Sequence, residues 1–275
     1  MALGMFQTFV SVYYRRYLVP ERMIVLKTPE EVELIGRASH VVAKAQHFIL
    51  KEVRPGITTQ KLDNLAEECI RDHGAVPAFK GYRGYKNTLC ASINEQVVHG
   101  IPSRCELKEG DIIGLDLGAI VEGFYGDGAI TVSVGQVRPE IEKLLMTTQK
   151  SLECGIQKAV VGNRLSDISH AVQSFVESAG YSVVRDFVGH GIGRQLHEEP
   201  QVPNYGRPGQ GPRLKSGMVL AIEPMVNMGG AAVKVLDDGW TAITCDGSLS
   251  AHFEHTVSIQ SNGPAKILTI LDNGL

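Results

Sequence analysis

Two aspartates interrupt two apolar runs. In LKEGDIIGLDLGAIVEGFYGDGAITVSVG, residues 107 to 135, Asp116 falls inside the run from Asp111 to Leu117 and Asp127 opens the run from Gly128 to Val134. Runs of this kind read as antiparallel strands, here joined by a Gly-rich segment. Two carboxylates brought together in a buried sheet repel each other and lose solvation, so they require protons, a cation or a metal. Asp and Gly are also ordinary turn residues, so the pair gains weight only from what accompanies it.

Three further pieces accompany it. GHGIGRQLHEEP, residues 189 to 200, places His190 between glycines that admit close backbone approach to an ion or substrate, and His197 follows. Glu223 ends the apolar run of LAIEPM, and Glu254 in SAHFEHTVSI opens another strand. Four ionised carboxylates are neutralised by two divalent cations; with one cation, shared protons or raised pKa values must relieve the rest. An oxygen-rich set with one imidazole and no thiolate suits manganese, iron, cobalt or zinc better than it suits a structural zinc site. Two metals bridged by carboxylates lower the pKa of a shared water and yield a hydroxide nucleophile at neutral pH, which points to hydrolysis.

The elements that must position these residues can be read from capping and periodicity. Thr28, Pro29 and Glu31 spell a helix start with a capping box, and apolar residues at Ile35, Ala38, Val42, Ala45 and Ile49 carry the helix to about Glu52. A second helix holds Leu62, Leu65, Ala66, Cys69 and Ile70 and stops at Gly74. His40, His47 and His73 lie in these helices with no second ligand type at metal spacing, so they are read as surface or packing residues. The second helix recurs 106 residues on, with Ile168 aligned to Leu62 and Gly180 to Gly74. At an offset of 107, LKEGDIIGLD (107 to 116) aligns with LKSGMVLAIE (214 to 223), so Asp116 and Glu223 share one equivalent place. The chain is therefore expected to be α+β: two pseudo-symmetric halves, about 28–135 and 136–262, whose helices flank antiparallel sheet. Hairpins in place of βαβ alternation argue against a doubly wound sheet, and no nucleotide-binding loop follows the glycines.

With 275 residues, 43% hydrophobic and 21% charged, the chain can bury a sizeable core. A net charge of −3 offers no basic field for nucleic acid or acidic membrane, and no apolar run is long enough to span a bilayer. Five cysteines without a C-x-x-C fit a reducing cytoplasm. Residues 1–22 are apolar and aromatic, but Arg15 and Arg16 follow the apolar part and no small-residue cleavage site is present, so they are read as an extension and not as a signal peptide.

The order Asp116, Asp127, His190, Glu223, Glu254, within GHGIGRQLHEEP and EHTVSI, resembles the type I methionine aminopeptidases over roughly Met23 to Ile259. The resemblance implies the pita-bread fold in a single catalytic domain (23–275), with residues 1–22 dispensable and Met23 an alternative start. It implies two divalent ions per chain held by those five residues, with Asp127 and Glu254 bridging. Glu223 would also transfer a proton, His99 would lie near the scissile nitrogen, and His197 near the developing oxyanion. Tyr82, Tyr85, Cys90 and Trp240 fall where the methionine pocket would be. Phe79 and Leu196 stand where cysteine and phenylalanine are usual in enterobacterial members. The expected substrate is the N-terminus of a nascent polypeptide at the ribosome, with a small second residue, attacked by a monomeric cytoplasmic enzyme through a metal-bound hydroxide. Prolidases use the same ligands but normally carry a large N-terminal domain, whereas about 25 residues precede the first helix here. A metal-free binding module of the same fold would have lost ligands, and all five are present.

Overall fold

The computed structural model describes residues 23–271. Helix α1 (Pro29–Leu50) begins as its spelling requires: the Glu31 N–H donates to the Thr28 hydroxyl, and the Thr28 N–H donates back to the Glu31 carboxylate. Helix α2 (Thr59–Asp72) follows, its N-cap Thr58 accepting from the Lys61 N–H. Strands β1 (Val76–Pro77), β2 (Leu89–Ile93) and β3 (Gln96–Val98) lead to the long hairpin β4 (Ile112–Val121) and β5 (Phe124–Ser133). Helices α3 (Pro139–Lys158) and α4 (Leu165–Ser178) then open a second round of helices and strands. It continues through β6 (Ser182–Val183), β7 (Gly189–Gly191), β8 (Glu198–Val202), β9 (Val219–Ile222) and β10 (Met225–Asn227). The chain ends with β11 (Val233–Val235), β12 (Ala242–Thr244), β13 (Ser250–His252), β14 (His255–Ser258) and β15 (Lys266–Ile267).

Every strand pairing among the described residues is antiparallel, and the two main sheets are built alike. In the first, β5 lies on one edge of β4 while β2 and β1 share the other; in the second the order is β15-β14-β9-β7-β8. Two three-stranded sheets, β13-β10-β6 and β11-β12-β3, complete the strand pairing. Val42, Ile49, Leu62 and Ile70 of α1 and α2 pack on Leu89, Ile113, Leu115 and Leu117. Leu144, Leu152, Ile168 and Val172 of α3 and α4 pack on Leu220, Ile222 and Val257. Each such aliphatic side chain contributes about 1.5–3 kcal/mol on burial, which offsets the cost of holding acids on the opposite faces.

The two sheets are stitched along β5 and β14. The Glu254 N–H donates to the Ala129 carbonyl at 2.8 Å, the Asp127 N–H to the Thr256 hydroxyl at 3.2 Å, and that hydroxyl to the Asp127 carbonyl at 2.8 Å. Both sides of this seam carry an acid of the predicted set.

The central hairpin differs from its sequence reading. Strand β4 runs on to Val121 and β5 starts at Phe124, so the chain reverses over Glu122 and Gly123 alone, with φ of 50° and 81°. A two-residue turn of this hand matches the twist of the strands. The Gly-rich segment is thus mostly strand, and Asp127 lies within β5 instead of opening it. Its glycines serve packing: a Cβ on Gly126 would come within 2.4 Å of the Ser39 nitrogen, so α1 can lie directly on β5 only because none is there. Helix α3, unread in the sequence, carried its own signals in Pro139, Glu140 and Glu142 ahead of Leu144 and Leu152.

No helix of the described residues is long and apolar enough to cross a membrane. The expected extension 1–22 lies outside the described residues.

Candidate metal centre

Register explains why the acids meet. In the β4–β5 ladder Asp116 faces Ala129 and Asp127 faces Gly118, so the two carboxylates are diagonal neighbours on one face. In the second sheet His190 pairs with Ala221 and His255 with Ile222. Continuing those registers by one or two residues puts Glu223 beside Glu254 and diagonal to His190. Each sheet thus presents its polar residues toward the seam, and the stitching of β5 to β14 closes the gap between them.

Ligating atoms of Asp127, His190 and Glu254 all lie within 4.8 Å of one another. His190 Nε2 is 3.8 Å from Asp127 Oδ2 and 3.6 Å from Glu223 Oε1. The other ring nitrogen, Nδ1, donates to the Gly191 carbonyl at 2.9 Å, which leaves Nε2 as a lone pair directed into the cavity. The flanking glycines do not approach the cavity as the sequence suggested. A Cβ at Gly189 would meet the Ala221 carbonyl at 2.4 Å and one at Gly191 the Glu199 carbonyl at 2.2 Å, so they let β7 press between β8 and β9.

Charge is the decisive feature. Burial, the largest cause for all four, raises the carboxyl pKa of Asp116 and Glu223 to about 7, against the opposing effect of His252 and His190, and pushes Asp127 and Glu254, where neighbouring acids add to it, well above their usual range. Four such groups cannot all ionise at neutral pH without cations among them. Among the described residues five buried side-chain polar atoms have no hydrogen-bond partner: Asp116 Oδ1, Asp127 Oδ1, Glu254 Oε1, His252 Nε2 and Ser39 Oγ. Three are carboxylate oxygens of the predicted set. Orphaned oxygens, a tautomer-fixed imidazole and no thiolate are the donor set that divalent cations take, and the residues present fit a bound metal.

The acids floor a cavity of about 170 Å³ whose walls include Phe79, Tyr82, Tyr85, Cys90, Leu196 and Trp240. Tyr85 stands edge-on to Trp240 with ring centroids 5.0 Å apart, and its hydroxyl donates to the Leu89 and Gly100 carbonyls. Cys90 pairs with Asp116 across β2 and β4, and burial raises its thiol pKa well above the usual range. All four predicted pocket residues therefore border one cavity with the acids, joined by the departures Phe79 and Leu196. A larger groove of about 940 Å³ along α1 contains none of the acids.

Both predicted substrate histidines line the same cavity. His99 sits at a left-handed φ of 60°, held by the bonds to Gly100 behind it, and its ring packs edge-on against Phe187 at 5.5 Å. Desolvation lowers its pKa to about 4. His197 lies at the exposed mouth, 4.3 Å from the His190 ring between centroids, and its Nδ1 is 2.8 Å from the Tyr82 hydroxyl. Desolvation first and then the His190 ring hold it below the usual imidazole range. His40 and His47 lie on α1 and His73 caps the C-terminus of α2, and none of the three lines this cavity.

Sequence reasoning missed three neighbours. Arg83, at a left-handed φ of 49°, covers the Tyr82 ring at the cavity mouth. Phe187 backs His99, and His252 faces Glu223 with Nε2 3.6 Å from Oε2. Only His252 carried a signal, as a polar residue two places before Glu254 in a strand otherwise buried.

A family model described as metallopeptidase family M24 matches residues 33–261. A methionine aminopeptidase of Clostridium perfringens is 55% identical over 249 residues, covering 90% of this chain and 100% of the relative. The solved structure of a methionine aminopeptidase from Thermotoga maritima superposes with a TM-score of 0.89 at 49% identity, covering 90% of this chain and 100% of its own. A prolidase from Pyrococcus furiosus, at 24% identity, shares the fold with a TM-score of 0.74 over 90% of this chain and 66% of its own.

Proposed function

Because this chain belongs to metallopeptidase family M24 and matches methionine aminopeptidases over nine-tenths of its length, we infer that it is a metal-dependent aminopeptidase of pita-bread fold that removes the N-terminal methionine from nascent polypeptides. The observation that carries this reading at the level of residues is the ring of buried, partnerless carboxylate oxygens beside an apolar, aromatic pocket.

In this reading Asp116, Asp127, His190, Glu223 and Glu254 would hold two divalent ions, of cobalt, iron, manganese or zinc. The ions, when bound, neutralise the carboxylates and supply a hydrolytic nucleophile at neutral pH. The protein's own groups do the rest. Glu223, with Oε1 facing His190, is placed to hold a proton on that oxygen and pass it to the departing amine. His197 Nδ1 is 2.8 Å from the Tyr82 hydroxyl; in the tautomer that accepts from it, Nε2 carries the ring hydrogen and can donate to the carbonyl oxygen as it gains charge. His99, kept neutral by desolvation, faces the scissile nitrogen from the other wall. Tyr82, Tyr85, Cys90 and Trp240 receive the methionine side chain. The chain acts as a monomer in the cytoplasm, on N-termini emerging at the ribosome.

Selection of the first residue comes from apolar fit and from aromatic interactions with the thioether, worth about 0.3–1.5 kcal/mol each. A first side chain that forfeits about 1.4 kcal/mol of this attraction is disfavoured tenfold. The second side chain lies against the acid seam, where bulk clashes. Assayed with cobalt, Met-Ala-Ser is cleaved well, Met-Leu-Ser poorly and Leu-Pro-Ala hardly at all. Best cleavage of Leu-Pro-Ala would leave a metal centre but remove the methionine assignment.

A further inference from the structure

His252 takes no part in the chemistry assigned to the other site residues, yet it is a second buried imidazole that faces Glu223. It ends β13 at 3% exposure, paired with Met225, two residues past Glu223. Its backbone is fixed from both sides by one residue of β5: the His252 N–H donates to the Thr131 hydroxyl at 2.9 Å, and that hydroxyl donates to the His252 carbonyl at 2.8 Å. The strand therefore has little freedom to shift at this residue. Its Nε2 lies 3.6 Å from Glu223 Oε2 and has no hydrogen-bond partner. His190 Nε2 stands 3.6 Å from the other oxygen, Oε1. The two carboxylate oxygens are thus divided between two imidazoles, one on each side.

Only His190 has its tautomer set for binding a cation, through Nδ1 and the Gly191 carbonyl. An imidazole ring carries at least one hydrogen, and His252 turns Nε2, which has no other partner, toward a carboxylate oxygen. A buried nitrogen facing a carboxylate is stable as a donor and not as a second lone pair. We propose that His252 is a positioning residue: its Nε2–H engages Glu223 Oε2 and so keeps Oε1 turned toward His190 and the ion site. A carboxylate held this way binds cations and handles protons in one orientation, whereas a free one rotates between several. This rests on the reading of Glu223 as a metal-binding, proton-transferring group.

The test uses the full chain, stripped of metal and titrated with cobalt(II) by calorimetry, with kcat and KM measured on Met-Ala-Ser at saturating cobalt. His252→Met fills the space of the ring without a donor, and His252→Gln places an amide N–H near the position of Nε2. His252→Met should weaken cobalt binding and lower kcat by about 10- to 100-fold with KM little changed, as losing an outer partner of a ligand does. His252→Gln should stay within about threefold of the parent in both. Should the Met variant fail to fold on thermal melting, His252→Leu carries the same comparison. Unchanged cobalt affinity in the Met variant, or equal losses in Met and Gln variants, would overturn the proposal, since the hydrogen-bond donor would then be irrelevant. Asp127→Asn, measured alongside, separates the two levels: its loss of cobalt binding upholds the site itself, and its retention of parental affinity would bring down the metal reading and this inference together.

Discussion

His197 and His190 are neighbouring rings with different prospects. His190 keeps Nδ1 on a backbone carbonyl and Nε2 free among acids, whereas His197 has Nδ1 occupied by the Tyr82 hydroxyl and stands at the mouth. One is therefore equipped to accept a cation and the other to donate a hydrogen. Replacing His197 by Ala should leave cobalt binding near the parental value and lower kcat by about 10²- to 10³-fold, the usual effect of removing one oxyanion donor. Calorimetry and steady-state kinetics on the same preparation check this; loss of the metal would make His197 a ligand. At this scale the sequence was informative, because an acid inside an apolar strand is costly and so conspicuous. Asp116, Asp127, Glu223 and Glu254 stood out for that reason. His252 carried only the weaker signal of a polar residue in an otherwise buried strand, and its part depends on which carboxylate it faces, which the sequence does not show.

Elements were legible where local rules decide them. The capping box of α1 and the apolar periodicity of α1, α2 and α4 depend on residues close in sequence, and those helices formed as spelled. The offset of 106 to 107 residues is a match of sequence: Asp116 lies inside β4, whereas Glu223 follows the last residue of β9. The hairpin was misread because its glycines answer to a distant partner. Gly126 looks like a turn residue, yet its lack of a Cβ is what admits Ser39 of α1. Gly126→Ala should therefore destabilise the fold by about 1–3 kcal/mol, as overpacking does, and displace the neighbouring Asp127. Urea unfolding should show a lowered midpoint with an unchanged slope, together with weakened cobalt binding. A parental midpoint would mean that α1 does not rest on this position.

Over the whole molecule, the seam between the sheets is both the hinge of the architecture and its electrostatic liability. The segment leading into α1 is tied to the far half by the buried Lys27–Glu198 ion pair and by the Lys27 N–H to the Gly217 carbonyl. The seam gathers four carboxyls whose pKa values the fold raises, and the unfolded chain does not raise them. Without metal, the folded chain binds more protons than the unfolded one, so the carboxyls' contribution is full below the unfolded carboxyl pKa of about 4 and is lost as pH rises through about 7 for Asp116 and Glu223 and higher for Asp127 and Glu254. His99 and His197 act oppositely: their lowered pKa values cost stability only below about pH 6.5, and above it both states are neutral. From about pH 6.5 to 8 the carboxyls of the seam set the slope.

That slope, measured with and without a divalent ion, bears most directly on the claim that these acids exist to hold metal. The thermal midpoint of metal-stripped protein should fall between about pH 6.5 and 8, and cobalt(II) or manganese(II) should raise it by an amount that grows with pH as the carboxylates ionise. A metal-free midpoint that is flat over this range and unmoved by either ion would contradict the account.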